Sequence, residues 1–121
     1  MEFTELVRAV ARETQLSVEE SADLTRAVVQ ELGRRLSGGE AAQLAVELPE
    51  ELRTELLAVK HGQTFGLETL LERVRTHTGL NAEETRRGVA AVLKNLRDAV
   101  SEKEYSDVLS QLPGEVAALA R

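Results

Sequence analysis

The chain has no cysteine and no tryptophan, and only one tyrosine, two phenylalanines, two prolines and one methionine among its 121 residues. Without cysteine there is no disulfide framework, no thiolate metal site and no cysteine nucleophile, so stability has to come from packing. With so few aromatic side chains there is little on which to stack nucleic-acid bases, and few of the residues that favour sheet. Positive charge is short as well: 15 Lys and Arg against 21 Asp and Glu leave a net charge of −6. An acidic chain does not attract phosphate backbones, so nucleic acid is not an expected partner. No apolar run approaches the roughly 20 residues a bilayer needs, and the opening MEFTELVRAVARETQ is amphipathic and charged. No membrane is expected, and a soluble cytoplasmic protein is the default reading.

Alanine, leucine, glutamate and arginine are plentiful, which favours helix. The length suits a single domain with one core. Apolar residues recur at helical spacing: Phe3, Leu6, Val7 and Val10 mark a first helix, and Val18, Ala22, Thr25, Val29, Leu32 and Leu36 form a stripe along a longer second one. Ala41, Leu44, Ala45 and Leu48 suit a short third helix. Pro49 is placed as the first residue of a fourth, which carries Leu52, Leu56 and Leu57.

The second half repeats the first. Shifting the chain by 64 residues lays 3–57 on 67–121 without a gap, and 14 of the 55 pairs are identical, among them Leu6/Leu70, Val10/Val74, Val28/Val92, Ser37/Ser101, Glu40/Glu104 and Pro49/Pro113. The expectation is an all-α domain of about eight helices, built as two tandem four-helix repeats about a pseudo-twofold axis. Residues 58–66, AVKHGQTFG, are the connector. Each repeat has 55 residues, a size at which stability alone is marginal, so the repeats are expected to share a core.

One stretch suggests nucleotide chemistry. Leu36-Ser37-Gly38-Gly39-Glu40 is one residue away from the LSGGQ signature of ABC-type ATPases. In the second repeat, however, Val100-Ser101-Glu102-Lys103-Glu104 replaces both glycines and keeps only S-x-x-E, the pattern of a helix capping box. No G-x-x-x-x-G-K-[ST] is present to cradle phosphates. Helix starts are therefore expected at Ser37 and Ser101, each with its glutamate reaching back to the serine N–H. Ser17-Val18-Glu19-Glu20 and Asn81-Ala82-Glu83-Glu84 read the same way, which makes these paired carboxylates structural rather than catalytic.

Catalytic groups do not converge in the sequence. His61 and His77 stand 16 residues apart with no metal-ligand spacing, and no serine sits in a G-x-S-x-G elbow. No catalytic, cofactor-binding or metal-binding residues are assigned. Arg73, Arg75, His77, Arg86 and Arg87 gather near the junction of the fifth and sixth helices, where the first repeat has Ala9, Ala11, Glu13, Ala22 and Asp23. Arginine can fork onto a carboxylate or phosphate, so this group is the candidate contact for an acidic partner or a small anion. The competing reading is a solvated face paired with the protein's own acids.

The tandem pattern, with RLSGGEAAQLAVELPEELRTELL closing one copy and VSEKEYSDVLSQLPGEVAALA closing the other, resembles the family catalogued as domain of unknown function 2267, small helical proteins of bacteria and archaea. The resemblance spans nearly the whole chain and implies a compact all-helical fold. It brings no activity or ligand with it. The functional expectation is a non-enzymatic interaction or regulatory module that binds another protein. The alternative is a small-ligand or anion binder using the arginine group or a pocket between the repeats.

Overall fold

The computed structural model describes residues Met1–Arg121. Eight α-helices make up the chain and no strand is present: α1 (Phe3–Thr14), α2 (Val18–Arg35), α3 (Gly38–Glu47), α4 (Glu50–Leu57), α5 (Leu67–Thr78), α6 (Ala82–Ala99), α7 (Glu102–Gln111) and α8 (Gly114–Ala117), the last running into a 3-10 turn at Ala118–Ala120. The first and last residues of α1, α2 and α3 fall on those of α5, α6 and α7 after a shift of 64. Only the final helix differs, with eight residues in α4 and four in α8.

Helix α2 lies at the centre, against α1, α4, α5 and α6. Helix α6 packs on α1, α2, α5, α7 and the C-terminal turn, while α3 meets α4 and α7. Thus α1 lies against α6 and α5 against α2, an exchange of partners between the two halves. One apolar cluster runs through both, from Leu6, Leu24, Val28 and Leu52 to Leu70, Val92, Leu96 and Val116. Where α2 crosses α6, Leu24 is fully buried over Gly88, and a β-carbon at Gly88 would stand 2.5 Å from Leu24 Cδ2. Leu24 and Gly88 are themselves a matched pair in the 64-residue register. Two leucines would collide there, and one leucine against one glycine fills the crossing.

The stripe expected on α2 is broader than the sequence reading has it. Its buried residues include Ser21, Leu24, Ala27 and Val28 as well as Thr25, Val29 and Leu32, because neighbours cover the helix on several sides. Val18 is 51% exposed, since it is the first helical residue and precedes these contacts; Leu57, at the end of α4, is 45% exposed. Pro49 is the residue before α4 rather than its first, with ψ 149° still extended. No helix is long and apolar enough to cross a membrane.

Local capping sets most helix starts. Ser17 Oγ accepts the Glu20 N–H at 3.0 Å while the Ser17 N–H donates to Glu20 Oε1 at 3.0 Å, and Asn81 and Glu84 make the same reciprocal pair. Ser37 and Ser101 also cap, accepting the N–H of Glu40 and Glu104 at 3.2 Å. The expected return contacts of these two glutamates do not form. Each serine N–H goes instead to the other half: Ser37 to Gln111 Oε1 at 3.0 Å, Ser101 to Glu47 Oε1 at 2.6 Å. Glu40 and Glu104 are released to turn inward.

The connector closes the end of α2. His61 Nδ1–H donates to the Gly33 carbonyl at 2.6 Å, Gln63 N–H to Arg34 at 2.8 Å and Gly62 N–H to Leu36 at 2.8 Å. These are carbonyls that a helix end leaves without an internal partner. Gly62 holds φ at 75°, a left-handed conformation that suits glycine.

Candidate functional site

On α5, Arg73 and His77 are one turn apart and share a face, whereas Arg75 is rotated away from both. Arg73 and His77 line an open groove of about 360 Å³ with Glu72 and Thr76 and, from α2, Glu31 and Arg34. Glu31 is the anchor of this groove. Its side chain is only 2% exposed and accepts from Arg34 Nη1 at 3.1 Å and Arg73 Nη1 at 3.3 Å. The Arg73 guanidinium also lies 4.6 Å from the Phe65 ring centre, which fixes its plane. A buried carboxylate has to be paired, and here two guanidiniums do so. In the other half the same register holds Asn95, whose Nδ2 donates to Glu13 Oε2 at 2.8 Å.

The five expected contact residues therefore do not form one cluster. Arg73 is committed to Glu31, and exposed His77 stands beside it. Arg75 opens onto a neighbouring groove bordered by Gly79, Leu80 and Asn81, with a loose 3.8 Å approach to Glu72. Arg87 reaches Glu83 at 3.3 Å and donates Nη2–H to the Thr14 carbonyl at 3.2 Å, closing the end of α1. Arg86 is exposed on the first turns of α6 and takes part in none of the six ion pairs. Sequence proximity grouped these side chains; the acid on α2 that claims Arg73 lies 42 residues away in the chain.

A second polar site lies where the S-x-x-E spacing predicts capping boxes. Glu40 of α3 and Glu104 of α7 are 7% and 6% exposed, and each has an Oε2 that no other group of the protein reaches. Their carboxyls are neighbours where α3 packs on α7. Burial, the adjacent Glu40 carboxyl and the negative charges of Glu47 and Asp107 raise the Glu104 carboxyl from its usual 4.5 to about 7. The signal available in the sequence was that both glutamates sit on the same position of the two halves.

Beyond it lies Tyr105, buried where the first half has Ala41. Its hydroxyl donates to the Leu93 carbonyl at 2.7 Å, and Arg97 lies 5.2 Å from its ring centre. Burial raises the phenol above its ordinary value, with Arg97 opposing. Tyr105, Arg97, Glu102, Ser106 and Leu109 border a shallow groove on this side.

The family model described as "Uncharacterized conserved protein (DUF2267)" matches residues 3–119, nearly the whole chain. The chain belongs to that family. A comparison with curated proteins gives no match.

Proposed function

We propose that this member of the DUF2267 family is a non-catalytic helical interaction module of the cytoplasm, one unit of two repeats (3–57 and 67–121, joined by 58–66), whose α5–α6 edge holds an acidic protein partner. The observation that carries this reading is Arg86, an exposed guanidinium that the fold does not use. Arg75, held only loosely at 3.8 Å from Glu72, extends the same basic character. The other half has Ala22 and Ala11 at these positions, so neither charge is needed to build the helices. The deeper Arg73 serves Glu31, which already supplies it with an anion.

Replacing Arg75 and Arg86 with alanine, the residue the other half has at both positions, tests the proposal. The melting temperature should stay nearly unchanged, with stability shifted by about 0.5 kcal/mol or less for surface sites, while binding to a polyglutamate probe peptide falls roughly tenfold at low salt. The wild-type affinity should itself decline as salt screens the contact. Unchanged, salt-insensitive binding in the variant would remove the α5–α6 edge from consideration. Stabilisation by inorganic phosphate that Arg73→Ala abolishes would favour a small-anion site in the Glu31 groove instead.

A further inference from the structure

The α3–α7 seam joins the two halves through groups that a rigid interface would normally avoid. Glu40 and Glu104 are buried there, their Oε2 atoms have no N–H or other hydroxyl within reach, and two ionised carboxylates in contact would repel at close range. The seam is otherwise well bonded: Gln111 accepts from Ser37, and Glu47 accepts from both the N–H and the hydroxyl of Ser101, the latter at 3.1 Å. The cations nearby each have another partner. On α7, Lys103 attracts both glutamates but is bound to Asp107 at 2.9 Å, and Glu47 of α3 and Asp107 add negative charge. On α4, which packs on α3, Arg53 donates to the carbonyls of Ala45 and Leu48. On α6, which packs on α7, Arg97 is taken up by Tyr105 and by the Ala120 carbonyl.

We propose that Glu40 and Glu104 share a single proton across the α3–α7 seam, and that losing this proton loosens the contact between the two halves. The proton resides on Glu104, and Glu104 donates it to the Glu40 carboxylate. Because the folded-state value of Glu104, about 7, lies above its ordinary 4.5, the stabilisation is fully present below 4.5, declines as pH rises above it and is lost once pH has passed about 7. The seam is thus set to respond in the neutral range, unlike an ordinary carboxylate.

The test compares the full-length wild type with Glu104→Gln, whose amide N–H donates to Glu40 as the protonated acid does but cannot titrate. The wild-type melting temperature should fall by several degrees relative to the variant as pH rises from about 4.5 to about 7 and then level off, and the two should run together on the acid side. Hydrogen-exchange protection of α3 and α7 should drop over the same interval in the wild type alone. A second variant, Glu40→Gln, should bring the carboxyl-carbon NMR titration of Glu104 down towards the ordinary carboxylate range. Parallel melting curves for wild type and Glu104→Gln at every pH, or a Glu104 resonance that titrates near 4.5 in the wild type, would overturn the shared proton. So would stabilisation of the wild type on the alkaline side by calcium or magnesium that is absent in Glu104→Gln, since a metal ion would then hold the pair.

Discussion

At the end of α2 and at the end of α6 the two halves build the same junction from opposite materials. In the first half, Gly33 lets the α2 backbone lie directly on α4, so close that a β-carbon would fall onto the Leu56 carbonyl and stand 2.8 Å from Val59 Cγ2. In the second half the matching residue is Arg97, whose Nη2–H donates to the Ala120 carbonyl at 3.4 Å, the counterpart of Leu56 in the 64-residue register. Tyr105, standing where the other half has Ala41, supplies the ring on which Arg97 lies. One half makes the contact backbone to backbone and carries a full α4. The other bridges it with a guanidinium and ends in the short α8. The lesson is that matched sequence keeps the helices, whereas a glycine or its replacement decides how close they come.

The largest effect is expected at the α2–α6 crossing, where the halves meet residue on matching residue. Leu24→Gly empties the space over Gly88 and adds a glycine to a helix interior, which should cost about 4–5 kcal/mol, enough to unfold much of a marginal domain. Gly88→Leu alone forces two leucines into one site and should also destabilise. Combined, the exchange Leu24→Gly with Gly88→Leu should recover more than half of the loss in a denaturant titration. That recovery holds only if the two halves face each other equivalently at this point, and additive losses would break the comparison.

A somewhat smaller effect separates the two junctions. Gly33→Ala should cost about 3 kcal/mol, because the obstructing atom is main chain and cannot rotate aside. Arg97→Ala, at the matching place, should cost only about 1 kcal/mol through the lost stacking and hydrogen bond. Urea unfolding of both variants gives the ratio, and equal costs would mean that the glycine has no special role.

The same distinction between local and distant contacts explains how much could be read beforehand. The capping of Ser17, Asn81, Ser37 and Ser101 is settled within three residues, so sequence spacing was enough to place it. Glu40 and Glu104 obey the same spacing yet leave the cap, because Ser37 and Ser101 find acceptors 74 and 54 residues away. Gly33 shows nothing unusual in its helical pattern; its need for glycine lies wholly in Leu56 and Val59. The arginine group divides for a related reason, since Glu31 and Thr14 draw Arg73 and Arg87 to different helices. What the chain encodes locally is helix position. What it encodes through distant pairs is which polar groups remain free.

The smallest effect is expected where the halves look most different in sequence, at Gly38-Gly39 against Glu102-Lys103. Both pairs occupy the first turn of a helix capped by serine, and neither glycine holds a conformation closed to other residues. A β-carbon at Gly39 would meet nothing within 4 Å, and one at Gly38 only His61 Cδ2 at 3.9 Å. Replacing both with Glu-Lys adds better helix formers and puts one acid near the positive end of α3, contributions of a few tenths to about 1 kcal/mol in the stabilising direction. The gain should stay modest, because the second-half lysine is tied to Asp107 whereas its counterpart would face Gln43, which carries no charge. The double variant should therefore melt at or slightly above the wild-type temperature, and ATP should leave both proteins' melting curves unmoved. A destabilised variant would assign the glycines a packing role absent from the second half. Stabilisation by ATP in the wild type alone would return the L-S-G-G-E stretch to phosphate recognition and end its equivalence with V-S-E-K-E.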